Sequence, residues 1–230
     1  MRNPNHSILH KVGASGWLIN MDVKEAIQKR RSIRRFKSDP VPEDLILQLL
    51  ESARLAPSGS NTQPWKFIVV KDAETRKKLQ SASYHQRHVG QAPVIIACCA
   101  DIKAFGKFPE RIEELIDAGA LPAKTREVFV PSLKKEGISA DMKWHLLIAA
   151  TGNTDIAIEH MVLHAVELGL GTCWVRWFDD HKVKEILEIP SNIEIIALLP
   201  LGYPAEEPPQ RPRFTLEKMV YYEKYGNQTI

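Results

Sequence analysis

Apolar positions along this chain alternate between helical and strand spacing, and the switches outline helices packed with strands. Asp22, with Glu25 three residues later, opens a helix in the manner of a capping box; Val23, Ala26 and Ile27 give it an apolar stripe. Leu45, Ile46, Leu49, Leu50 and Ala53 predict a second helix, which Pro57 stops. Trp65 to Val70 reads as a short strand, and Pro93 to Ala100, with Val94, Ile95 and Ile96, as another. From Asp101 to about Ala149 the pattern loosens. A helix around Pro109 to Ala118 ends at Gly119, and prolines and lysines follow, an excursion from the core rather than a second domain. Asn153 to Leu168 predicts a long helix carrying Ile156, Met161, Leu163 and Leu168, with Gly169 as its C-cap. Thr172 to Trp177 is strand-like, Val183 to Leu187 helical, and Ile193 to Leu201 a buried strand. Pro204 to Pro212 is a proline-rich linker. The tail beyond it, with Leu216, Met219, Val220, Tyr221, Tyr222 and Tyr225, carries more apolar surface than a free end should, so it is expected to pack on something, such as a second subunit.

Composition narrows the class without naming a function. The chain has 230 residues, 44% hydrophobic and 26% charged, enough for one sizeable core. A net charge of +3 gives no reason to expect a nucleic-acid or membrane partner, and no apolar run reaches spanning length. Residues 1–20 lack a continuous hydrophobic segment, and Met21 stands directly before a helix start. They read as a poorly ordered extension or cloning remnant, with the domain proper at 21–230. The three cysteines, Cys98, Cys99 and Cys173, sit in apolar runs without CxxC spacing, which points to buried thiols and a cytoplasmic protein.

Three motifs carry chemistry. Lys29 to Lys37 holds six basic residues in nine, interrupted by Ile33 and Phe36. Within it Arg30-Arg31-Ser32-Ile33-Arg34 closes the first helix, where Arg and Ser side chains can converge on one phosphate. Ala56-Pro57-Ser58-Gly59-Ser60-Asn61-Thr62-Gln63-Pro64-Trp65 is a turn that lets backbone approach a planar, polar-edged ring. Arg211-Pro212-Arg213 follows near the C-terminus. Gly169-Leu170-Gly171-Thr172-Cys173-Trp174 fails as a Rossmann fingerprint, because the third glycine is missing and a helix precedes it. His160 and His164 lie four apart, but Glu-His-x-x-x-His is not the zinc-hydrolase order and no third ligand accompanies it, so no metal site is expected. No serine stands in a nucleophile-elbow context.

Together these motifs resemble the FMN site of the nitroreductase family, over nearly the whole chain from Met21. The resemblance implies an α+β fold: a central mixed, mostly antiparallel sheet flanked by helices, in a homodimer with exchanged C-terminal tails. It places Arg30 and Ser32, with Arg31 close by, on the FMN phosphate and ribityl chain, and Arg34 near the N1/O2 edge of the flavin. Pro57, Ser58, Gly59 and Asn61 would reach the cofactor, often from the partner subunit. Backbone of Thr172, Cys173 and Trp174 would face N5 and O4, and Arg211 and Arg213 would return to the phosphate. It further implies an NADH- or NADPH-dependent oxidoreductase that passes hydride through flavin N5 to nitroaromatics, quinones or related acceptors by a ping-pong route, with no side chain as acid or base. Acceptor choice would lie between about Tyr84 and Trp144, where Phe105, Phe108, Phe129 and Trp144 are candidates to cover the ring. The turn and the Trp-x-Phe-x-Val-Val-Lys-Asp strand also resemble iodotyrosine deiodinases. Those enzymes clamp substrate with a lid tyrosine, and this chain has none between Asp101 and Trp144. A dimethylbenzimidazole synthase, which would consume its flavin, a flavin-storage protein and a basic-helix nucleic-acid binder are the other readings.

Overall fold

In the computed structural model the described residues are 21–129 and 140–228; the extension at 1–20 and the middle of the excursion lie outside them. Four strands form one sheet, β1 (Trp65–Val70), β2 (Val94–Asp101), β3 (Gly171–Thr172) and β4 (Ile193–Gly202), in the order β1-β2-β4-β3. Every strand pair is antiparallel. The parallel component of the expected mixed sheet is confined to one isolated bridge, Ser32 with Thr172.

Buried on both faces, β2 explains its continuous apolar run. Val94, Ile96 and Cys98 face one core with Ile46, Leu49, Ala157 and Met161. Those partners come from α2 (Glu43–Arg54) and α7 (Ala140–Glu167). Ile95, Ala97 and Cys99 face the other core, with Leu79, Val89 and Val183. These come from α3 (Ala73–Ala82), α4 (Arg87–Gln91) and α8 (Asp180–Ile186). Between Cys98 and Cys99 the register with β4 shifts, so Cys98 opposes Ala197 and Cys99 opposes Ile195. That bulge lets Ile195 and Ala197, two apart, serve opposite cores. All three thiols are buried, and burial pushes Cys99 up to about 12.

Two expectations change in detail, and helix α3 is added. The long helix begins at Ala140 rather than Asn153 and absorbs the end of the excursion. The unbroken run Leu146 to Ala150 hides its period. The strand expected at 172–177 pairs as β3 only at Gly171 and Thr172, then touches β4 again at Val175. α3 escapes the apolar pattern because it buries only Leu79 and Ala82; Asp72 announces it by accepting the Thr75 amide at 2.8 Å. The excursion itself contains α5 (Phe108–Asp117) and α6 (Thr125–Phe129). No helix among the described residues is long and apolar enough to cross a membrane.

After α1 (Val23–Lys29), the segment 30–37 runs along the end of the sheet. Ile33 N donates to Thr172 O at 2.9 Å, Lys37 N donates to Tyr203 O at 2.9 Å, and Phe36 bridges Pro204. Ile33 crosses so close over Gly171 that a Cβ there would lie 2.6 Å from its Cγ1. Gly171→Val is therefore expected to lower stability by about 1–3 kcal/mol through overpacking. The check is a lower urea midpoint at unchanged slope.

His88 is 8% exposed, and no partner meets its Nε2 among the described residues. Burial, then the neighbouring Arg34, hold its pKa below the ordinary value of 6.5, while Glu206 acts the other way. The unfolded chain therefore takes up this proton first as pH falls, so stability declines through the window opening near 6.5. His88→Gln should flatten the acid-side fall in urea midpoint between about pH 7 and pH 5.5. An identical slope in both proteins would contradict this.

Candidate functional site

The end of α1 and the edge of the sheet build one constellation. Arg30 is the C-cap of α1, its amide on Ala26 O, and Arg31 turns its guanidinium onto the carbonyls of Gln28 and Arg30 at 2.7 and 2.9 Å. Arg31 thus satisfies open carbonyls of the helix end, and its neighbours carry the remaining charge. Ser32 lies beside Thr172 in the parallel bridge. Arg34 follows in the same extended run, its amide on Glu206 Oε1 at 2.6 Å.

Electrostatics show what converges. Burial raises the Cys173 thiol above its ordinary value, and Arg34, Arg211 and Arg30 pull it back, with Glu206 opposing them. Two guanidinium groups from the end of α1 and one from the C-terminal arm therefore act on one point of the 171–174 segment. Among the described residues, none of the three has a carboxylate within ion-pairing distance. Like charges therefore gather here with no carboxylate ion-paired to them. Arg213, two residues on, folds its guanidinium onto the carbonyls of Arg211 and Pro212, each at 3.1 Å, in an exposed arm.

Trp174 is fixed from α7. Its Nε1 donates to Glu159 Oε2 at 3.3 Å, and Arg176, ion-paired with Asp155, lies 5.3 Å from the ring centre. Burial raises the Glu159 carboxyl, partly offset by Arg30 and by the indole hydrogen bond.

The turn from Pro57 to Asn61 is positioned elsewhere, against α5 and the middle of α7. Gly59 N donates to Asn153 Oδ1 at 3.2 Å, and Arg111 Nε donates to Asn61 O at 3.0 Å. Ser60, Asn61 and Gln63 all have positive φ, at 49°, 54° and 46°. Non-glycine residues in that region cost ~1–3 kcal/mol each and persist where their surroundings enforce them. Here Ser58 Oγ accepts the Gln63 amide at 3.0 Å, and Thr62 Oγ1 donates to Gly59 O at 3.0 Å. Within one chain Trp174 is thus tied to Glu159, and this turn to Asn153, six residues earlier on α7.

Sequence reasoning missed Glu206, Asn153, Arg111 and Glu159, which hold site residues rather than standing in motifs. Only Glu206 left a trace, as an acid in a linker whose other charges are Glu207, Arg211 and Arg213. His160 and His164 serve helix packing: Ser52 Oγ lies 2.5 Å from His164 Nδ1, and Ser52 O lies 3.3 Å from His160 Nδ1.

Comparison with known proteins agrees on one family. The Nitroreductase family profile matches residues 27–203. A Thermus thermophilus protein named NADH dehydrogenase is 37% identical over 206 residues, covering 88% of this chain and 96% of its own. The FMN reductase [NAD(P)H] of Bacillus subtilis is 28% identical over 207 residues, 90% of this chain and 76% of that protein. An iodotyrosine deiodinase of Thermotoga neapolitana is 26% identical over 194 residues, 81% of this chain and 90% of its own. Among solved structures, an Exiguobacterium sibiricum protein in complex with FMN superposes with a TM-score of 0.75 at 22% identity, covering 88% of this chain and 98% of its own. With the family profile spanning more than half of its length, and an α+β architecture shared with those solved structures, this chain belongs to the nitroreductase family.

Proposed function

We propose that this protein is an FMN-dependent NAD(P)H oxidoreductase acting on nitroaromatics, quinones or related small acceptors. The observation that carries the reading is the unpaired cluster of Arg30, Arg34 and Arg211 around Thr172 and Cys173. A phosphate dianion supplies the counter-charge that this cluster lacks, and guanidinium forks match phosphate oxygens in geometry. The donor set therefore fits FMN. The names of the relatives favour the same cofactor and a nicotinamide donor.

In this reading Arg30, Ser32 and Arg211 hold the phosphate and ribityl end, with Arg213 as a second basic residue on the arm. Arg31 fixes the end of α1 so that Arg30 and Ser32 keep their directions. Arg34 places positive charge at the N1/O2 edge, which favours negative charge arriving on the ring. Backbone of Thr172 to Trp174, steadied by the Trp174–Glu159 bond, provides the polar edge at N5 and O4. Bound FMN supplies the hydride chemistry, accepting from NADH or NADPH and passing to the acceptor. The protein's own part is binding, orientation and electrostatics.

Pro57, Ser58, Gly59 and Asn61 lie in a turn fastened to Asn153 and Arg111, and the reading assigns them to the flavin of a partner subunit in a homodimer. The exposed arm supports this: Phe214, Leu216 and Tyr225 are 74%, 70% and 91% exposed, surface that a second copy would cover. The excursion at about 101–149 is assigned to the lid over the ring. Reductive dehalogenation stays second, because the lid region lacks the tyrosine that deiodinases use.

The test is anaerobic. Protein supplemented with FMN is mixed separately with NADH and NADPH, and the flavin band near ~450 nm is followed. Bleaching is expected and identifies the donor; bound flavin that neither nucleotide reduces would favour a storage role, and absence of flavin binding would remove the reading. Arg30→Ala and Arg211→Ala should each raise the FMN dissociation constant about tenfold or more, as loss of a charged hydrogen bond worth ~1.5–3 kcal/mol predicts.

A further inference from the structure

Glu206 occupies an unusual place in the site. Its Oε1 accepts from two consecutive amides, Arg34 N at 2.6 Å and Arg35 N at 3.0 Å. Around it, residues 203–205 pair with 35–37 as a short ladder: Ala205 N donates to Arg35 O at 2.9 Å, Phe36 bridges Pro204, and Lys37 N donates to Tyr203 O at 2.9 Å. The ladder stops there. Pro208 and Pro209, soon after, carry no N–H and cannot prolong a strand. The carboxylate takes over where backbone pairing ends and satisfies two amides that have no other partner among the described residues. Those amides belong to the residue that brings charge to the flavin edge and to the one after it.

Its charge also has a specific setting. Of the charged groups acting on the Cys173 thiol, Arg34, Arg211 and Arg30 are cationic and Glu206 is the one anion. The four together carry a net charge of +2, against +3 without the carboxylate. Buried His88 also faces both Arg34 and Glu206, which act on it in opposite senses.

We propose that Glu206 is a positioning residue of the flavin site, its carboxylate clamping the Arg34–Arg35 backbone so that Arg34 is held at the flavin edge, and its charge tempering the positive field there. The proposal rests on the FMN reading above. It separates two contributions that one substitution would confound. Glu206→Gln keeps a carbonyl oxygen able to accept both amides but removes the charge, whereas Glu206→Ala removes both.

The experiment compares wild type with Glu206→Gln and Glu206→Ala in three measurements. Hydrogen exchange of the 32–37 segment, without added flavin, reads the clamp directly: Glu206→Ala should lose protection at about two amides and Glu206→Gln should retain it. FMN titration should show at least a tenfold weaker dissociation constant in Glu206→Ala and a change within about threefold in Glu206→Gln. The midpoint potential of bound FMN should rise in Glu206→Gln, since removing a negative charge favours the reduced, more anionic flavin. Unchanged protection in Glu206→Ala overturns the clamp. Lost protection with unchanged FMN affinity overturns the link from clamp to cofactor. An unshifted potential in Glu206→Gln overturns the charge effect, and this arm stands even if Glu206→Ala does not fold. Wild-type protein that binds no FMN yet shows the exchange difference would instead bring down the FMN reading while leaving the clamp in place.

Discussion

The structure depends on the pairing of one extended segment, residues 32–37, with the end of the sheet. Ile33 N to Thr172 O and Lys37 N to Tyr203 O join parts of the chain remote in sequence, and each bond removes an amide that would otherwise need water. The pairing needs a flat approach, and Gly171 supplies it where a side chain would strike Ile33. Gly202 does the same beneath Phe36 and Pro93. Without this crossing, Arg30 and Arg34 would be charges on a solvated helix end. With it, they and Arg211 all act on the Cys173 thiol. Here the fold makes the site by closing the sheet, and no single motif contains it.

Gathering like charges costs free energy, and the way the protein carries that cost explains its surroundings. Arg31 keeps its charge but commits Nη1 to the carbonyls at the end of α1. Glu206 and Glu159 lie near enough to be felt but form no ion pair with the cluster, so they temper the field without filling it. A direct salt bridge would have satisfied the arginines internally and closed the site to an anion. Carboxylates bonded instead to backbone amides or an indole keep their lone pairs occupied and leave the guanidiniums open.

Much of this was legible in the chain, and the reasons differ by element. β2 and β4 were readable because strands buried on both faces are continuously apolar. α2 was readable from its stripe, with Ile46, Leu49 and Ala53 buried. α3 was not, because a helix covering one edge of a core needs few apolar residues. The start of α7 was hidden because Trp144 and Ile148 lie exposed, so the apolar positions there follow no single buried face. The arginine and turn motifs stood out by residue type. Glu206, Asn153 and Arg111 did not, because a residue that acts by accepting or donating one backbone hydrogen bond has no distinctive sequence setting.

A turn with three positive-φ side-chain-bearing residues, fastened to Asn153 and Arg111, is too costly to be a mere connection between α2 and β1. Strain of this kind persists where the surroundings over-determine it, as the bonds to Asn153 and Arg111 do here. In the proposed homodimer each chain would offer its turn to the other's arginines about a twofold axis. The exposed arm after Arg213 carries apolar surface, in Phe214, Leu216 and Tyr225, that such a partner would cover. In the proposed dimer the flavin phosphate is held by one protomer and the ring approached by the other. Dissociation would then release the cofactor, and the affinity for FMN and the affinity between subunits would be two expressions of one equilibrium.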